Sequence, residues 1–490
     1  MQLRTAICWA FALLLIAAGA KAEGPLSGAL DAALDVRALR NAQVGALVVA
    51  RGDGRLLYAR SPDRALIPAS NQKILTAVAA LRAFGPTHAF PIGVYSDAPP
   101  DAEGSVANLY LQATGDPSLT SEDYWRFAAD LRMAGLRSVR GDLVIDDTAF
   151  DAERWNPTWG PISSRAYHAP VGAFTANYGA FTVVVVPAAN SGDRVTVRVD
   201  PPVPYLRVVN KALTSSRRKQ SRLTVKRSLE ADHEQIEVGG NLRVGSEPAV
   251  FRRSVEDPVG YAAAVLRMQL EANGITVAGE DRLGVAPESA PELLLFAAHP
   301  VSEIVRLFMK YSNNGMAESL VKALGARASG APGSWANGIP ALSQELTAIG
   351  VPMDGMRIVD GSGLSYDNRV SPRQLVAALR IADASFAMAP EFAASLPVSG
   401  ADGTLEKRVE DAVGAARAKT GLLTSVTALS GHAMLSDGTE VVFSVMVNDF
   451  RSIAERAMDA LDHFVVVLSQ ATATGADGTG AAAAAKAGSH

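Results

Sequence analysis

One apolar helix, with a hydroxyl and an amine at its mouth, constrains this chain more than any other stretch. In RALIPASNQKILTAVAALRAFG, Pro68 and Ser70 read as a helix start. Apolar residues recur at helical spacing over 74–81, and Gly85-Pro86 stops the run. Ser70 and Lys73 then lie one turn apart on one face, so the amine can reach the hydroxyl. A serine hydroxyl becomes a useful nucleophile when a neighbouring base takes its proton, and a desolvated lysine can be that base. The helix N-terminus adds free N–H groups and partial positive charge. Ser-x-x-Lys also arises by chance, and a second copy stands at Ser216 and Lys219 in a basic segment expected to be exposed. The motif therefore needs partners elsewhere.

With 490 residues the chain is too long for one ordinary domain. At 48% hydrophobic and 20% charged it can bury a large core, and a net charge of −4 gives no sign of nucleic-acid binding. Residues 1–22 read as a signal peptide, with Arg4 before an apolar run over 6–18 and Ala20-Lys21-Ala22 as the cleavage site. The run is short for a membrane span, and no other segment is long and apolar enough for an integral span. The only cysteine, Cys8, lies inside that leader, so the mature chain has no disulfide, thiol nucleophile or thiolate metal site. Export to a periplasm or cell envelope is the expectation. The Ala/Gly-rich tail, 471–490, is expected to be disordered.

Along the mature chain, 26–39 reads as a helix and 44–50 as a strand, with Gly52-Asp53-Gly54 turning into a returning strand at 55–60. Beyond Pro86 the character changes. A strand at 108–113, a helix at 121–135 and a strand at 141–147 form a β-α-β unit. An aromatic, proline-containing connector (RWNPTWGPISSRAYHAP) follows, then short strands at 181–186, 195–199, 222–226, 235–238 and 241–244, and a helix at 259–272. Helices return at 301–311, 316–325, 335–349 and 371–382, before strands at 416–423, 427–436 and 440–448 and a helix at 453–469. The expected fold is α+β: an antiparallel sheet flanked by helices, shared by the early hairpin and the late strands. Its domain is discontinuous, 23–86 and 292–470. The stretch 87–291 is then a β-rich insertion of two nested modules, one at about 104–165 with the β-α-β unit.

Two further motifs supply partners. Lys419-Thr420-Gly421 falls on an expected strand, where the lysine can grip a substrate carboxylate and the glycine lets substrate approach the strand edge. Ser312-Asn313-Asn314 lies between two helices and offers a second hydroxyl and an amide. Each alone has a bland reading, as a strand glycine or a helix-capping loop. Ser-x-x-Lys, Ser-x-Asn and Lys-Thr-Gly in that order are the signature of penicillin-binding proteins and class A β-lactamases.

On these motifs the chain resembles the penicillin-recognising serine enzymes, and most closely the D-alanyl-D-alanine carboxypeptidases of the penicillin-binding protein 4 type. That group has a long insertion between its first two motifs, and here 238 residues separate Lys73 from Ser312. Its local strings resemble ATGDPSLT, GDLVIDDTAFD, DGSGLSYDNRVSP and LPVSGADGTL in this sequence. The resemblance implies a β-lactamase/transpeptidase-like fold and no cofactor. It implies Ser70 as the acylated nucleophile, Lys73 as its base, Ser312 and Asn314 as proton relay and positioning pair, and Lys419 with Thr420 and Gly421 as the carboxylate site. Backbone N–H groups of Ser70 and Leu422 would form the oxyanion hole. The implied partners are peptidoglycan stem peptides and inhibitory β-lactams, and members of the group can form homodimers.

The implied reaction cleaves D-Ala-D-Ala bonds, and D-Ala-diamino acid cross-links, through an acyl-Ser70 ester. Leu422 departs from the serine or threonine usual after the Lys-Thr-Gly glycine, which removes a hydroxyl near the carboxylate. A rival alignment reads Tyr311 and Asn313 as Tyr-x-Asn, with Tyr311 as base. Rival functions are a β-lactamase or esterase on the same scaffold, or a non-catalytic peptidoglycan-binding protein. Asp360 and Ser362, and Asp402 to Thr404, read either as site supports or as tight turns. The histidines are scattered without metal-ligand spacing, and the basic run 211–227 fits a solvated hairpin or an anionic surface.

Overall fold

The structure is a computed structural model that describes residues 25–473, apart from Lys219 and Ala331. Its central sheet has five antiparallel strands in the order Ala416–Leu423, Val426–Met434, Glu440–Asn448, Gln43–Ala50 and Leu56–Arg60. Distant segments thus pair directly, Gln43–Ala50 lying against Glu440–Asn448. Strand alternation sends side chains to two cores. Val44, Ala46 and Val48 join Phe443, Val445 and Phe464 under helices Pro25–Leu34 and Ala454–Gln470. Leu47 and Val49 face the other way, toward Gln72–Phe84 and Pro372–Ala384. A sheet buried on both faces reads as nearly unbroken apolar strands, as 441–447 does here.

Helix Gln72–Phe84 is the buried axis of the second core, with every residue from Gln72 to Leu81 buried. Its sequence is apolar on all sides, which suits only a position enclosed by other elements. That core continues without a break into the insertion, through Leu111, Phe127, Val183 and Leu266.

The insertion departs from the expected boundaries. The β-α-β unit is present, with Leu109–Ala113 parallel to Leu143–Asp146 across helix Ser121–Met133. Both flanks of that pair take further strands, giving the order Asp281–Leu283, Leu143–Asp146, Leu109–Ala113, Ile92–Ser96, Glu292–Phe296. The first module is therefore not closed near 165, and the strand beginning at 292 belongs to the insertion's sheet. The reason is that exposed strand edges need partners, and returning chain supplies them. Between these segments, a three-stranded sheet is built on Ala180–Val186 and a four-stranded one on Glu234–Arg243.

Other differences are local. The strands expected at 235–238 and 241–244 are one, because Gly239-Gly240 keeps its pairing with Leu223 and Thr224. The first helix ends at Leu34, and Arg37–Leu39 is a separate 3-10 turn. The tail expected to be disordered from 471 is held as far as Ala473, where Ser436 donates to the Ala471 carbonyl at 2.8 Å and Ala473 donates to Asp437 at 2.6 Å. The remainder of the tail and the leader 1–22 lie outside the described residues. Among the described residues no helix is long and apolar enough to cross a membrane.

Phe464 is fully buried and touches Tyr58 and Phe443, with ring centroids 6.0 and 6.4 Å away. Phe464→Ala is expected to cost about 3–5 kcal/mol. The check is denaturant unfolding followed by circular dichroism, with a lower midpoint as the expected outcome.

Candidate active site

Ser70 lies in a 3-10 turn, Ala69–Asn71, that leads into helix Gln72–Phe84. The expected helix start is thus a tighter turn, entered through Ala69 at φ +45°. Such a backbone angle is costly for a residue with a Cβ and is held by its surroundings. Lys73 follows in the first α-turn, with its side chain fully buried.

The Lys73 Nζ stands 3.2 Å from Ser70 Oγ, 2.7 Å from Asn314 Oδ1 and 2.7 Å from the Ser362 carbonyl. A neutral amine has two hydrogens and one lone pair. The amide oxygen and the carbonyl can accept only, so they take the hydrogens and leave the lone pair facing the Ser70 hydroxyl. Asn314 is oriented by its other end, where Nδ2 donates to the Tyr167 carbonyl at 2.9 Å. Burial pushes the Lys73 ammonium down to about 7, against the pull of Asp360 and Glu318. No carboxylate oxygen forms an ion pair with Lys73 among the described residues. Two other buried lysines do have such partners: Lys310 with Asp402 at 2.6 Å and Lys322 with Asp151 at 2.5 Å.

The carboxylates near Lys73 are already engaged. Glu318 accepts from the Gly361 and Ser362 N–H groups at 3.0 and 2.8 Å and from the Trp335 indole at 2.7 Å. Its carboxyl is pushed up to about 7 by burial and then by the nearby charge of Asp360. Asp360 accepts from Gly363, Ser365, Asn368 and Trp159. Together they fix the DGSGLS loop so that the Ser362 carbonyl meets Lys73. Gly363, at φ +79°, lies so close to the Ser70 turn that a Cβ there would be 1.8 Å from the Ala69 carbonyl. The tight-turn and site-support readings of Asp360 and Ser362 therefore describe one feature.

Ser312 ends helix Val301–Tyr311 at φ +58°, ψ +34°, where glycine would be the low-energy choice. Glycine has no hydroxyl, and here that hydroxyl accepts from Lys419 Nζ at 2.9 Å. Asn313 caps the next helix, Asn314–Ser329, by accepting from the Met316 N–H at 3.0 Å. The rival Tyr-x-Asn alignment finds no such geometry: Tyr311 is 66% exposed, and Asn313 is spent on the cap.

Lys419 is fully buried on strand Ala416–Leu423 and also donates to the Thr420 carbonyl at 2.8 Å. Burial holds its ammonium well below the usual range, and the charges of Lys73 and Arg408 add to the effect. It too lacks an ion-paired carboxylate among the described residues, so an incoming anion would supply the missing counter-charge. Thr420 Oγ1 is 2.8 Å from Thr404 Oγ1, which brings the Asp402–Thr404 loop to the site. Ala418 donates outward to the Pro397 carbonyl and Ala416 accepts from Ser399. By two-residue alternation, the N–H groups of Thr420 and Leu422 face the same open edge. Leu422 itself is 47% exposed.

The structure thus brings together Ser70, Lys73, Asn314, Ser312, Lys419 and Thr420. It also adds Ser362, Glu318, Tyr167, Thr404 and Asn71, which donates to the Lys419 carbonyl at 3.1 Å. Glu318 carried little signal, because its helix, Asn314–Ser329, also holds Ser319, Lys322 and Arg327. Tyr167 acts through its backbone carbonyl, which carries no side-chain signature, and Ser362, read as a site support or turn, also acts through its carbonyl. Of the second Ser-x-x-Lys copy, Ser216 is exposed and Lys219 lies outside the described residues.

Comparison with known proteins gives the same direction. A family model described as "D-Ala-D-Ala carboxypeptidase 3 (S13) family" matches residues 26–469. A D-alanyl-D-alanine carboxypeptidase of Actinomadura sp. (strain R39) is 37% identical over 435 residues, 86% of this chain and 80% of that one. Penicillin binding protein 4 (dacB) from Haemophilus influenzae superposes with a TM-score of 0.76 at 24% identity, covering 89% of this chain and 97% of that one. The same protein complexed with a novel β-lactam gives a TM-score of 0.70 at 25% identity, with the same coverage.

Two predictions follow from this geometry. With Lys73 near 7, the rate of acylation by benzylpenicillin should be flat just above that pH and fall about tenfold per unit below it, as the lone pair is protonated. Stopped-flow acylation against pH checks this. A Cβ at Gly421 would sit 2.9 Å from the Pro68 carbonyl and 3.1 Å from Ala69 Cβ, so Gly421→Ala should displace the Ser70 turn. A loss of roughly 10- to 100-fold in acylation is expected, with the protein still folded by circular dichroism.

Proposed function

Because this chain belongs to the D-Ala-D-Ala carboxypeptidase 3 (S13) family, we propose that Ser70 is the nucleophile with which it cuts the D-Ala-D-Ala bond of peptidoglycan stem peptides. The enzyme is a serine DD-peptidase. One observation supports the assignment of Ser70 most: a fully buried, carboxylate-free Lys73 amine faces its hydroxyl at 3.2 Å.

In this reading the terminal carboxylate of the substrate docks against Lys419, Thr420 and Thr404. Lys73 takes the Ser70 proton as Oγ attacks the penultimate D-alanine carbonyl. Charge developing on that oxygen is met by the N–H groups of Ser70 and Leu422, where one such donor is worth about 3 kcal/mol. The C–N bond then breaks. The departing amine receives the proton through Ser312, whose hydroxyl Lys419 holds. Water, activated by the same Lys73, hydrolyses the ester and frees Ser70. When the departing amine belongs to a neighbouring stem peptide, the same steps cut a cross-link.

A β-lactam acylates Ser70 in the same way, but its leaving group stays tethered and shields the ester. Fast β-lactam turnover would need a further base for water. Glu318 and Asp360 accept from backbone and indole N–H groups behind Lys73, which weighs against that reading. The substrate lies outside the cytoplasm, which agrees with 1–22 as an export leader and a periplasmic or envelope location.

Intact-mass spectrometry after benzylpenicillin exposure tests the assignment. One penicilloyl adduct is expected, on the peptide that contains Ser70, and none in Ser70→Ala. Release of D-alanine from a stem pentapeptide should fall in that variant by at least about a thousandfold. An adduct on another residue, or D-alanine release that survives the substitution, would overturn it.

A further inference from the structure

A cavity of about 570 Å³ opens beside the Ser312 turn, and Ser70 does not line it. Residues 311–314, with Leu307 and Met316, form one wall, and the insertion forms the other, including Glu122, Tyr178, Asp200 and Arg252. Of the catalytic and carboxylate-binding residues assigned above, only Ser312 and Asn314 line it. Ser70, Lys73, Lys419 and the open strand edge do not.

The wall is built with some strain. Asn177 and Tyr178 both have left-handed backbones, at φ +49° and +62°, and such outliers persist only where the surroundings hold them. The charged groups are uncommitted: among the described residues the side chains of Glu122, Asp200 and Arg252 form no ion pair and no hydrogen bond. The cavity is large for the released D-alanine, since volumes of about 300–1,000 Å³ hold ligands of several residues' size.

We infer that this cavity receives the departing stem peptide when a cross-link is cut, with Arg252 meeting one of its carboxylates. The inference rests on the DD-peptidase reading above. In cross-link cleavage the Ser70 Oγ–carbon bond forms, the amide C–N bond breaks, and the proton lost by Ser70 ends on the departing amine. That amine must sit against the Ser312 hydroxyl to receive it. The carboxylate next to the amine stays at Lys419 and Thr420, so the chain behind it runs past the Ser312 turn. This cavity adjoins that turn, since Tyr311, Ser312 and Asn313 line it. A monomeric pentapeptide leaves only D-alanine and has nothing to place there.

The test compares wild type, Arg252→Gln and Arg252→Lys on two substrates, a cross-linked muropeptide dimer and a monomeric stem pentapeptide. Arg252 is exposed on strand Ala249–Ser254, so its replacement leaves the core intact. Arg252→Gln should lower kcat/KM on the dimer about five- to tenfold. D-Alanine release and benzylpenicillin acylation should stay within about twofold, and Arg252→Lys should retain most of the dimer activity. Equal losses on both substrates, or an unchanged rate on the dimer, would overturn the inference. So would a wild-type enzyme that cleaves the pentapeptide and not the dimer, while leaving the DD-peptidase reading standing. A wild type that neither forms the adduct nor releases D-alanine would remove that reading and this inference with it.

Discussion

Everything at this site depends on keeping one lysine dry and without a counter-ion. Bringing Lys73 from 10.5 to about 7 is worth on the order of 5 kcal/mol, comparable with the whole stability of a domain. The protein sustains it by enclosing the helix Gln72–Phe84 in apolar side chains on all sides and by offering Nζ two neutral acceptors in place of a carboxylate. Lys310 and Lys322 show the alternative in the same molecule. Each is buried too, but each has an aspartate at hydrogen-bond distance and serves as a structural tie.

The insertion is part of that enclosure rather than an appendage. Its Tyr167 carbonyl orients Asn314, its Trp159 indole binds Asp360, and Asn156 donates to the Val359 carbonyl at 2.9 Å. The aromatic, proline-containing connector thus holds both the Ser312–Asn314 turn and the DGSGLS loop. A core that runs from Gln72–Phe84 into the insertion ties these contacts to the fold. Strain gathers at the same place, with Ala69 and Ser312 left-handed on either side of Lys73's contacts.

The central fold was legible because its signals are local and strong. Strands such as 440–448 are apolar nearly throughout, and helices such as Pro372–Ala384 announce themselves by Ser371-Pro372, whose capping box forms. The three motifs that meet around Ser70 were legible because side-chain chemistry repeats in a fixed order. What could not be read was pairing between remote segments. Nothing in ELLLF or in IGVYS says that each will seek the other, so the insertion's true sheet and its boundaries appeared only in three dimensions. Gly421 carried a partial signal. The sequence suggested room for substrate, whereas the structure shows it making room for Pro68, Ala69 and Asn71 around the Ser70 turn.

The chemistry at Ser70 turns on the protonation state of a single amine, and that can be observed without turnover. Enzyme carrying ¹³C at the lysine ε-carbons, with Lys73→Arg used to assign the resonance, would be titrated by NMR in the absence of substrate. The account predicts a Lys73 signal that titrates near pH 7, well separated from the surface lysines. A Lys73 resonance that stays in the ammonium form up to about pH 10 would contradict it, because Ser70, the proposed nucleophile, would then have no base.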